Sequence, residues 1–472
     1  MDLRPGASGE APSELTLDEW RVQPSLNRLT RGDATVRIEP KLMDVLLLLA
    51  RHAGQVVSKD AIADAVWPNL FISESVITRA IAGLRRALDD NPRAPRFIET
   101  IAKRGYRLLM PAIAASPVRP PAPPPPTPPT PPITAAPVSS IPYAAGQWVR
   151  GERFYGRSAE IAEILDGPRN CVWLLGARAV GKTSLLKQLE YLTSTDPASR
   201  YFPLFWDLQG SVEPDDLNQD FSAVLAEAEE RLGGLGIGME DVAADDFFVS
   251  LGCLRRALRA KGRTLLLLWD ETEELIHLHA QSPALLRKLR RALQSQEGIR
   301  TVMASGPRLW KLTEQRDDTS PFLHGFAPPL YLGPLRDEAA RGLVLQAQGR
   351  PETALPAGAG AVEEILRRCG NHPTLLQMLC ARALELGDLD RATESVAADP
   401  TIRFFFAVDF DLLTPAEREA ILAIARCETA SEARLGDVLP LERLGLLRRS
   451  GDGRLEIANP ILRQWLREQA VL

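Results

Sequence analysis

The sequence has few cysteines, no long hydrophobic run and no excess of positive charge. Its five cysteines among 472 residues are scattered and include no C-x2-C pair, which argues against a disulfide framework and against a zinc site. No apolar run approaches the roughly 18 residues of a membrane span, and the first residues lack the apolar core of a signal peptide. The net charge of −5 means that any DNA contact must be local. We therefore expect a cytoplasmic protein with no membrane partner.

Proline, in contrast, is concentrated in one stretch. Residues 116–137 contain twelve prolines in twenty-two positions, a composition that cannot form a packed core and that favours the extended polyproline II conformation. At about 3.1 Å per residue, the segment from Pro117 to Pro132 would span on the order of 50 Å. We expect a stiff linker over 114–147, which follows a disordered tail over 1–14 and a first folded domain over 15–113.

A glycine-rich segment lies between a predicted strand and a predicted helix. The apolar residues 171–175 run directly into Gly176-Ala-Arg-Ala-Val-Gly-Lys-Thr183, and a helical pattern follows. In this G-x4-G-K-[ST] spacing the glycines let backbone N–H groups face phosphate oxygens, the lysine reaches the outer phosphates, and the hydroxyl binds Mg²⁺. The alternative is a glycine-rich turn with a surface lysine. The predicted nucleotide-binding residues here are Gly176, Gly181, Lys182 (also catalytic), Thr183 (also a Mg²⁺ ligand) and Ser184.

A second apolar run ends in two adjacent acids. Residues 264–269 predict a buried parallel strand because they are almost continuously apolar. Asp270 and Glu271 follow at its carboxyl end, where ligands bind in such sheets. We expect Asp270 to hold Mg²⁺ through water and Glu271 to orient or deprotonate the attacking water. A helix cap would account for one acid more easily than for two. A further strand, residues 299–304, ends at Ser305, whose hydroxyl could sense the γ-phosphate.

Near the N-terminus, short strands precede three predicted helices and a basic hairpin. The third helix, residues 74–88, has an apolar stripe with helical spacing and an opposite face that is polar and basic. The hairpin carries Lys103 and Arg104 at its tip. These charges predict a nucleic-acid contact, and the alternative is an ordinary solvated surface. The apolar stripe consists of Ile77, Ile81, Leu84 and Leu88.

Four segments of this region, Val56-Val-Ser58, Val66-Trp67, Ile81–Leu88 and Ile98–Leu108, resemble the OmpR/PhoB-type winged helix, most closely its ToxR/CadC-like branch. The resemblance implies that the third helix enters the major groove of double-stranded DNA and that the hairpin tip reaches the neighbouring minor groove. No receiver domain precedes the region and no transmembrane helix follows it, so neither phosphorylation nor membrane signalling is the expected input. The implied DNA-binding residues are Ser75, Thr78, Arg79, Arg86, Lys103 and Arg104.

Residues 154–472 resemble the STAND class of AAA+ switch ATPases. The resemblance rests on Gly156-Arg157, the G-x4-G-K-T segment, the acid pair, Ser305, and Gly370-Asn-His-Pro373, which is similar to the lid motif of that class. Together with the predicted elements, the two resemblances imply a multidomain fold: an N-terminal winged helix (α+β), a central α/β P-loop NTPase core with a parallel sheet, a helical lid and a C-terminal winged helix. The last three are expected over 148–333, 334–400 and 401–472.

By position in the same motifs, Arg157 and Pro373 would flank the nucleotide. Arg308 is a candidate finger that acts in trans on a neighbouring subunit. His372 either contacts the nucleotide or holds the lid, or it is a structural residue at a helix start. Adenine is favoured because the sequence has no N-K-x-D segment of the kind that reads guanine. The repeats that usually follow as a sensor in this class are missing, so the sequence does not indicate which molecule the protein senses.

The sequence therefore predicts an ATP-dependent transcriptional regulator in which a switch module sets the oligomeric state and DNA binding. Its cofactors would be ATP or ADP with Mg²⁺, its hydrolysis slow, and its assembly a nucleotide-dependent homo-oligomer. One alternative is a DNA-remodelling AAA+ ATPase with sustained turnover. Another is an anti-phage STAND protein, which is disfavoured because no nuclease or other toxic effector motif is visible.

Overall fold

The structure is a computed structural model, and it divides into two compact units, Met1–Pro137 and Val138–Leu472, each of which is described by itself. The expected tail and most of the proline-rich linker lie outside the described residues. The described residues are 15–24, 28–31, 34–38, 40–66, 74–88, 90, 95–101, 104–109, 113–114, 143–144, 146–211, 213–294, 297–312, 322–346, 360–426 and 435–469.

The described part of the first unit contains two antiparallel sheets and three helices. One sheet has the strand order β4-β3-β2-β1-β8 and the other has the order β5-β7-β6. The elements in chain order are β1 (Leu15–Leu17), β2 (Trp20–Gln23), β3 (Arg28–Arg31), β4 (Ala34–Arg37), α1 (Pro40–Arg51), β5 (Val56–Val57), α2 (Lys59–Val66), α3 (Glu74–Leu88), β6 (Ile98–Ile101), β7 (Gly105–Leu108) and β8 (Ile113–Ala114).

Helix α3 buries the stripe that its sequence predicts, since Ile77, Ile81, Leu84 and Leu88 all belong to one core with α1 and both sheets.

Two other contacts fix the position of the hairpin after α3. The buried carboxylate of Asp90 accepts the backbone N–H of Ile98 at 2.8 Å and so fixes the start of β6. Gly105 has φ +134°, and a Cβ there would lie 2.0 Å from the carbonyl oxygen of Val57. Only glycine lets β7 approach β5 this closely.

The core of the second unit is a five-stranded parallel sheet with the order β10-β11-β12-β9-β13, as the apolar runs predict. Its central strands are buried on both faces because helices cover both sides. The elements are α4 (Ser158–Asp166), β9 (Cys171–Leu175), α5 (Lys182–Thr195), β10 (Tyr201–Asp207), α6 (Pro214–Glu227), α7 (Glu229–Gly233), α8 (Met239–Val242), α9 (Phe247–Ala260), β11 (Thr264–Asp270), α10 (Leu275–Gln281), α11 (Pro283–Gln294), β12 (Ile299–Ser305) and β13 (Leu330–Tyr331).

The rest of the second unit is mainly helical, with one short antiparallel strand pair, β14 with β15. Helices α12 to α15 form a separate hydrophobic core. Among the described residues, no helix has the length and apolar character that a membrane crossing requires. The elements are α12 (Asp337–Leu345), α13 (Ala361–Cys369), α14 (Pro373–Leu386), α15 (Leu389–Ala398), α16 (Pro400–Asp411), α17 (Pro415–Ala425), α18 (Leu435–Arg443), β14 (Leu447–Arg449), β15 (Leu455–Ile457) and α19 (Pro460–Gln469).

Candidate functional site

The loop between β9 and α5 lies at the carboxyl edge of the sheet. A Cβ at Gly176 would lie 2.7 Å from the carbonyl oxygen of Leu332 and 2.9 Å from a Val180 methyl group, so the loop packs against the segment after β13. Gly181 has φ +97° and open space at its Cβ position, which favours glycine at the point where α5 begins. The start of α5 thus points its unpaired backbone N–H groups into the loop, as a phosphate site requires.

Lys182, Thr183 and Ser184 form the first turn of α5. The ammonium of Lys182 donates to the carbonyl oxygens of Gly176 and Ala177 at 3.0 and 2.9 Å, so it lies across the loop. The hydroxyl of Thr183 lies beside the carboxyl of Asp270 and acts to lower its pKa. The hydroxyl of Ser184 instead accepts the backbone N–H of Val149 at 3.2 Å, so it holds the segment that precedes the core.

The acid pair lies beside this turn. Asp270 ends β11 in register with Asp207 of β10, and burial raises its pKa to about 6 against the opposing effects of Thr183 and Lys182. Glu271 has a left-handed backbone, φ +48°. Burial, with the nearby carboxylates of Glu273 and Asp270, raises the pKa of Glu271 to about 7. A bound cation would favour the charged forms of both acids.

A cavity of about 350 Å³ joins these residues. Arg308 lines it beside the acid pair of the same chain, and its action in trans on the site of a neighbouring subunit stays a prediction. Ser305 does not line the cavity. Its buried hydroxyl accepts the Nε1–H of Trp173 at 2.8 Å and donates to the carbonyl oxygen of Gly306 at 3.0 Å. The lining side chains include Arg178, Lys182, Asp270, Glu271, Arg308 and Asp409.

Asp409 lines this cavity from outside the motifs that the sequence singled out. It belongs to α16, and its two carboxylate oxygens accept the backbone N–H of Arg178, in the glycine-rich loop, at 3.1 and 3.3 Å. Burial raises the pKa of Asp409 to about 6, while Lys182 and Arg178 act in the opposite direction. A carboxylate from the C-terminal region thus binds a backbone donor of the loop. No local pattern around position 409 pointed to it.

A second cavity, of about 530 Å³, lies on the other side of the loop. Its walls come from the loop, from the lid helices and from the segment that leads into the core. Arg157 and Pro373 both line it, so the structure brings together the two residues that the resemblance places around the nucleotide. The lining side chains include Val149, Tyr155, Arg157, Val180, Leu335 and Pro373.

Arg157 is buried and connects three segments. Its guanidinium donates to the carbonyl oxygens of Gly333 at 2.5 Å and of Val180 at 3.4 Å, and it pairs with Glu160 at 3.4 Å. Burial lowers the pKa of Arg157, but an arginine remains charged at any physiological pH. The residue therefore ties the start of α4 to the glycine-rich loop and to the segment after β13.

His372 is the residue before α14 and lines neither cavity. Its Nδ1 accepts the backbone N–H of Leu375 at 3.5 Å, and the backbone of Arg178 in the loop lies near its ring. Burial lowers the pKa of His372 to about 4, so the ring is neutral. The geometry favours a helix-start residue that also holds the lid. Beside it, the hydroxyl of Thr374 donates to the carbonyl oxygen of Ala179 at 2.6 Å.

In the first unit, Arg86 is exposed on α3 and Arg104 is exposed in the turn between β6 and β7. The neighbouring Arg85 has a structural role, because its guanidinium donates to the carbonyl oxygen of Ile98 and to the Thr100 hydroxyl, both at 2.8 Å. This bond pair holds the hairpin against α3. Lys103 lies outside the described residues. Ser75, Thr78 and Arg79 are part of α3, but their side chains also lie outside the described part.

The two units are similar to different known proteins. Residues 33–108 match the family described as "Transcriptional regulatory protein, C terminal". The transcriptional activator CadC of Escherichia coli K12 is 39% identical over 100 residues, which are 21% of this chain and 20% of CadC. The transcriptional regulator HilA of Salmonella typhimurium is 40% identical over 92 residues, which are 20% of this chain and 16% of HilA. Each match thus spans about a fifth of the relative, or less.

The Walker-type ATPase paby2304 of Pyrococcus abyssi has a related structure. It superposes with a TM-score of 0.52 and 16% identity, over 68% of this chain and 98% of that protein. At this identity the likeness concerns the fold alone. The chain therefore carries an OmpR/PhoB-type winged-helix domain at its N-terminus, and its second unit has the fold of a P-loop ATPase.

Proposed function

We propose that this protein is an ATP-dependent transcriptional regulator in which a STAND-type nucleotide switch controls oligomerisation and DNA binding by the N-terminal winged helix. The observation that carries the switch is the contact of Asp409 with the glycine-rich loop. The proposed parts are the winged helix over 15–113, the linker over 114–147, the ATPase core over 148–333, the lid over 334–400 and a C-terminal winged-helix-like domain over 401–472.

The DNA-binding half of the proposal rests on similarity and on charge. CadC and HilA are transcriptional regulators by name, and the family match over residues 33–108 covers α3 and the basic hairpin. Arg86 and Arg104 are exposed there, where they could reach a duplex. We expect α3 to read base edges in the major groove and the hairpin to contact phosphate or the minor groove.

The nucleotide-binding half rests on the two cavities beside the glycine-rich loop. Lys182 and the backbone N–H groups of the loop would bind the phosphates, and the cavity beside Arg157 and Pro373 would take the adenosine. Thr183 and Asp270, which lie beside each other, would hold Mg²⁺. Among the described residues no cluster of three or more His, Cys, Asp or Glu forms a metal cage, which suits an ion that is held largely by phosphate and water. The ion would neutralise charge on the transferred phosphate.

The glycine-rich loop is contacted from three directions at three successive residues. Arg178 donates its N–H to Asp409 of α16, Ala179 accepts from Thr374 of α14, and Val180 accepts from Arg157. Phosphate needs the same backbone donors that Asp409 engages, and it would meet a negative charge there. Nucleotide binding should therefore weaken the hold of α16 on the core, and a ligand that binds two arrangements unequally shifts their populations.

The deciding experiment measures assembly and DNA binding together. Light scattering after size exclusion, in ADP and in a non-hydrolysable ATP analogue, reports the oligomeric state. Affinity for one half-site against two half-sites reports avidity, because tethered copies raise the effective concentration at clustered sites. We expect the ATP analogue to promote assembly and to strengthen binding mainly at paired half-sites. An oligomeric state and DNA affinity that are the same in both nucleotides would overturn the switch.

A second candidate function is a DNA-remodelling ATPase that uses both ends of the chain on DNA. The observation that favours it is the element order at the C-terminus, where helices α17 and α18 precede the β14-β15 hairpin and α19, an order compatible with a winged helix. Turnover separates the two functions. A switch should hydrolyse ATP slowly with little stimulation by DNA, whereas a remodelling enzyme should turn over continuously and respond to DNA.

A further inference from the structure

Two helices of the ATPase unit have a charge that contrasts with the rest of the chain. Residues 247–263, which contain α9 and the turn after it, and residues 283–294, which form α11, together hold nine arginines and lysines and no aspartate or glutamate. The whole protein has a net charge of −5. These two helices therefore carry a local excess of positive charge, which the chain as a whole does not have.

The two helices are neighbours on one face of the sheet. Leu254 of α9 and Leu289 of α11 are buried in the same core, and the two helices lead into the adjacent strands β11 and β12. The ammonium of Lys288 lies 5.9 Å from the ring centroid of Phe248, which joins the helices at the surface. Their outward sides therefore form one continuous surface, which we call the basic face.

Several cations of the basic face point to solvent. The exposed residues are Arg256, Arg259, Lys261, Arg287, Lys288 and Arg291. Arg259 pairs with Glu297 at 3.4 Å, but their side chains are 63% and 85% exposed, and such solvated pairs are weak. The positive charge of this face is therefore available to an external anion. Successive turns of a helix lie about 5.4 Å apart, so Lys288 and Arg291 place charge along the axis of α11.

We infer that the basic face is a second, sequence-independent DNA-binding surface that contacts the phosphate backbone beside the site held by the winged helix. The inference rests on the proposed function, since the winged helix would hold the ATPase unit close to the duplex. A DNA duplex is a polyanion with one charge per about 1.7 Å of axis, and a row of arginines and lysines gains affinity by releasing its counterions. Tethering makes such a weak contact effective without a new specific interaction.

The test compares two charge reversals in the full-length chain. The first variant carries Arg256→Glu, Lys288→Glu and Arg291→Glu on the basic face. The control carries the same change in net charge on exposed lid residues, with Arg341→Glu, Arg367→Glu and Arg391→Glu. Affinity for a random-sequence duplex is measured over a series of salt concentrations, and hydroxyl-radical footprints are recorded on DNA selected by the wild-type chain. Nucleotide affinity shows that each variant is folded.

We expect the basic-face variant to bind duplex DNA at least about tenfold more weakly at low salt, with a salt slope flatter by about 0.9 for each phosphate that it no longer neutralises. Its footprint should shrink to the winged-helix half-site, while the control keeps the wild-type slope and length. Equal slopes and footprints in the two variants would overturn the inference. A loss of binding with Arg86→Ala and Arg104→Ala, but not with the basic-face variant, would leave the proposed function standing and remove this surface. The reverse pattern would remove the winged-helix function instead.

Discussion

The carboxylate of Asp409 accepts the backbone N–H of Arg178 at 3.1 Å, although the two residues lie in α16 and in the loop after β9. Backbone N–H groups of such a loop are the donors that bind phosphate in P-loop proteins. Lys182, the cation of the same loop, lies close enough to favour the charged form of Asp409. Asp409 therefore places a negative charge on a backbone donor of the loop, as a nucleotide phosphate would.

Asp409→Asn should strengthen binding of ATP. The substitution removes a negative charge from the phosphate side of the loop while it keeps the side-chain shape, and like charges a few ångströms apart cost on the order of kilocalories per mole near a protein surface. We expect at least about a tenfold lower Kd for an ATP analogue. The measurement is isothermal titration calorimetry. Asp411→Asn, at an exposed position two residues along, is the matched control, and equal affinities in the two variants would contradict the role of Asp409.

The same residue should make stability depend on pH. Burial raises the pKa of Asp409 to about 6, above the roughly 3.9 of an aspartate in an unfolded chain. The folded state thus binds the proton more tightly, so the stability that Asp409 contributes is fully present below about pH 4 and is lost as pH rises through about 6. Asp409→Asn should be more stable than wild type at about pH 8, by up to about 3 kcal/mol. Denaturant unfolding at two pH values checks it, and a difference that is constant with pH would refute it.

Substitutions in the glycine-rich loop and in the acid pair should separate ATP binding from ATP hydrolysis. Lys182→Ala should abolish ATP binding because this ammonium is the loop cation that lies across the phosphate site. Glu271→Gln should retain binding and slow hydrolysis, which would trap the ATP form. Lys187→Ala is the control, since Lys187 lies on the same helix and pairs with Glu190 at 3.0 Å. Hydrolysis by Glu271→Gln at the wild-type rate would show that the acid pair has another role.

Two substitutions in the winged helix should affect DNA binding differently. The family resemblance assigns Arg79 to base contact. Arg79→Ala should therefore weaken binding to a specific site by roughly 1–3 kcal/mol and reduce the preference for that sequence. Arg104→Ala, in the exposed hairpin turn, should weaken binding to all DNA sequences similarly and make the affinity depend less on salt. Binding to selected and scrambled duplexes by anisotropy measures both. If the wild-type chain binds the two duplexes equally, the assignment of α3 to sequence reading fails.

The sequence alone determined the features whose residues are contiguous. The strand, loop and helix around Gly176 to Thr183 follow from an apolar run, a fixed glycine spacing and a helical pattern, and all three are local. The parallel sheet follows from apolar runs long enough for strands covered on both faces. The sequence predicted that Asp270 and Glu271 lie at the carboxyl edge of the sheet, because the carboxyl ends of all its parallel strands lie at the same edge. The buried stripe of α3 follows from its periodicity.

Only the tertiary structure decided which distant residues meet at that edge. Asp409 reaches Arg178 through the packing of α16 against the core, and no pattern near either residue specifies a contact between them. Arg308 lies beside the acid pair because β12, which precedes it, pairs in parallel with β11. The Ser305 hydroxyl accepts the Nε1–H of Trp173 instead of lining the cavity, a contact between two residues that are distant in the sequence. Local sequence sets the elements, but the docking of helices on the sheet, driven by the burial of apolar surface from the whole chain, decides which polar groups face one another.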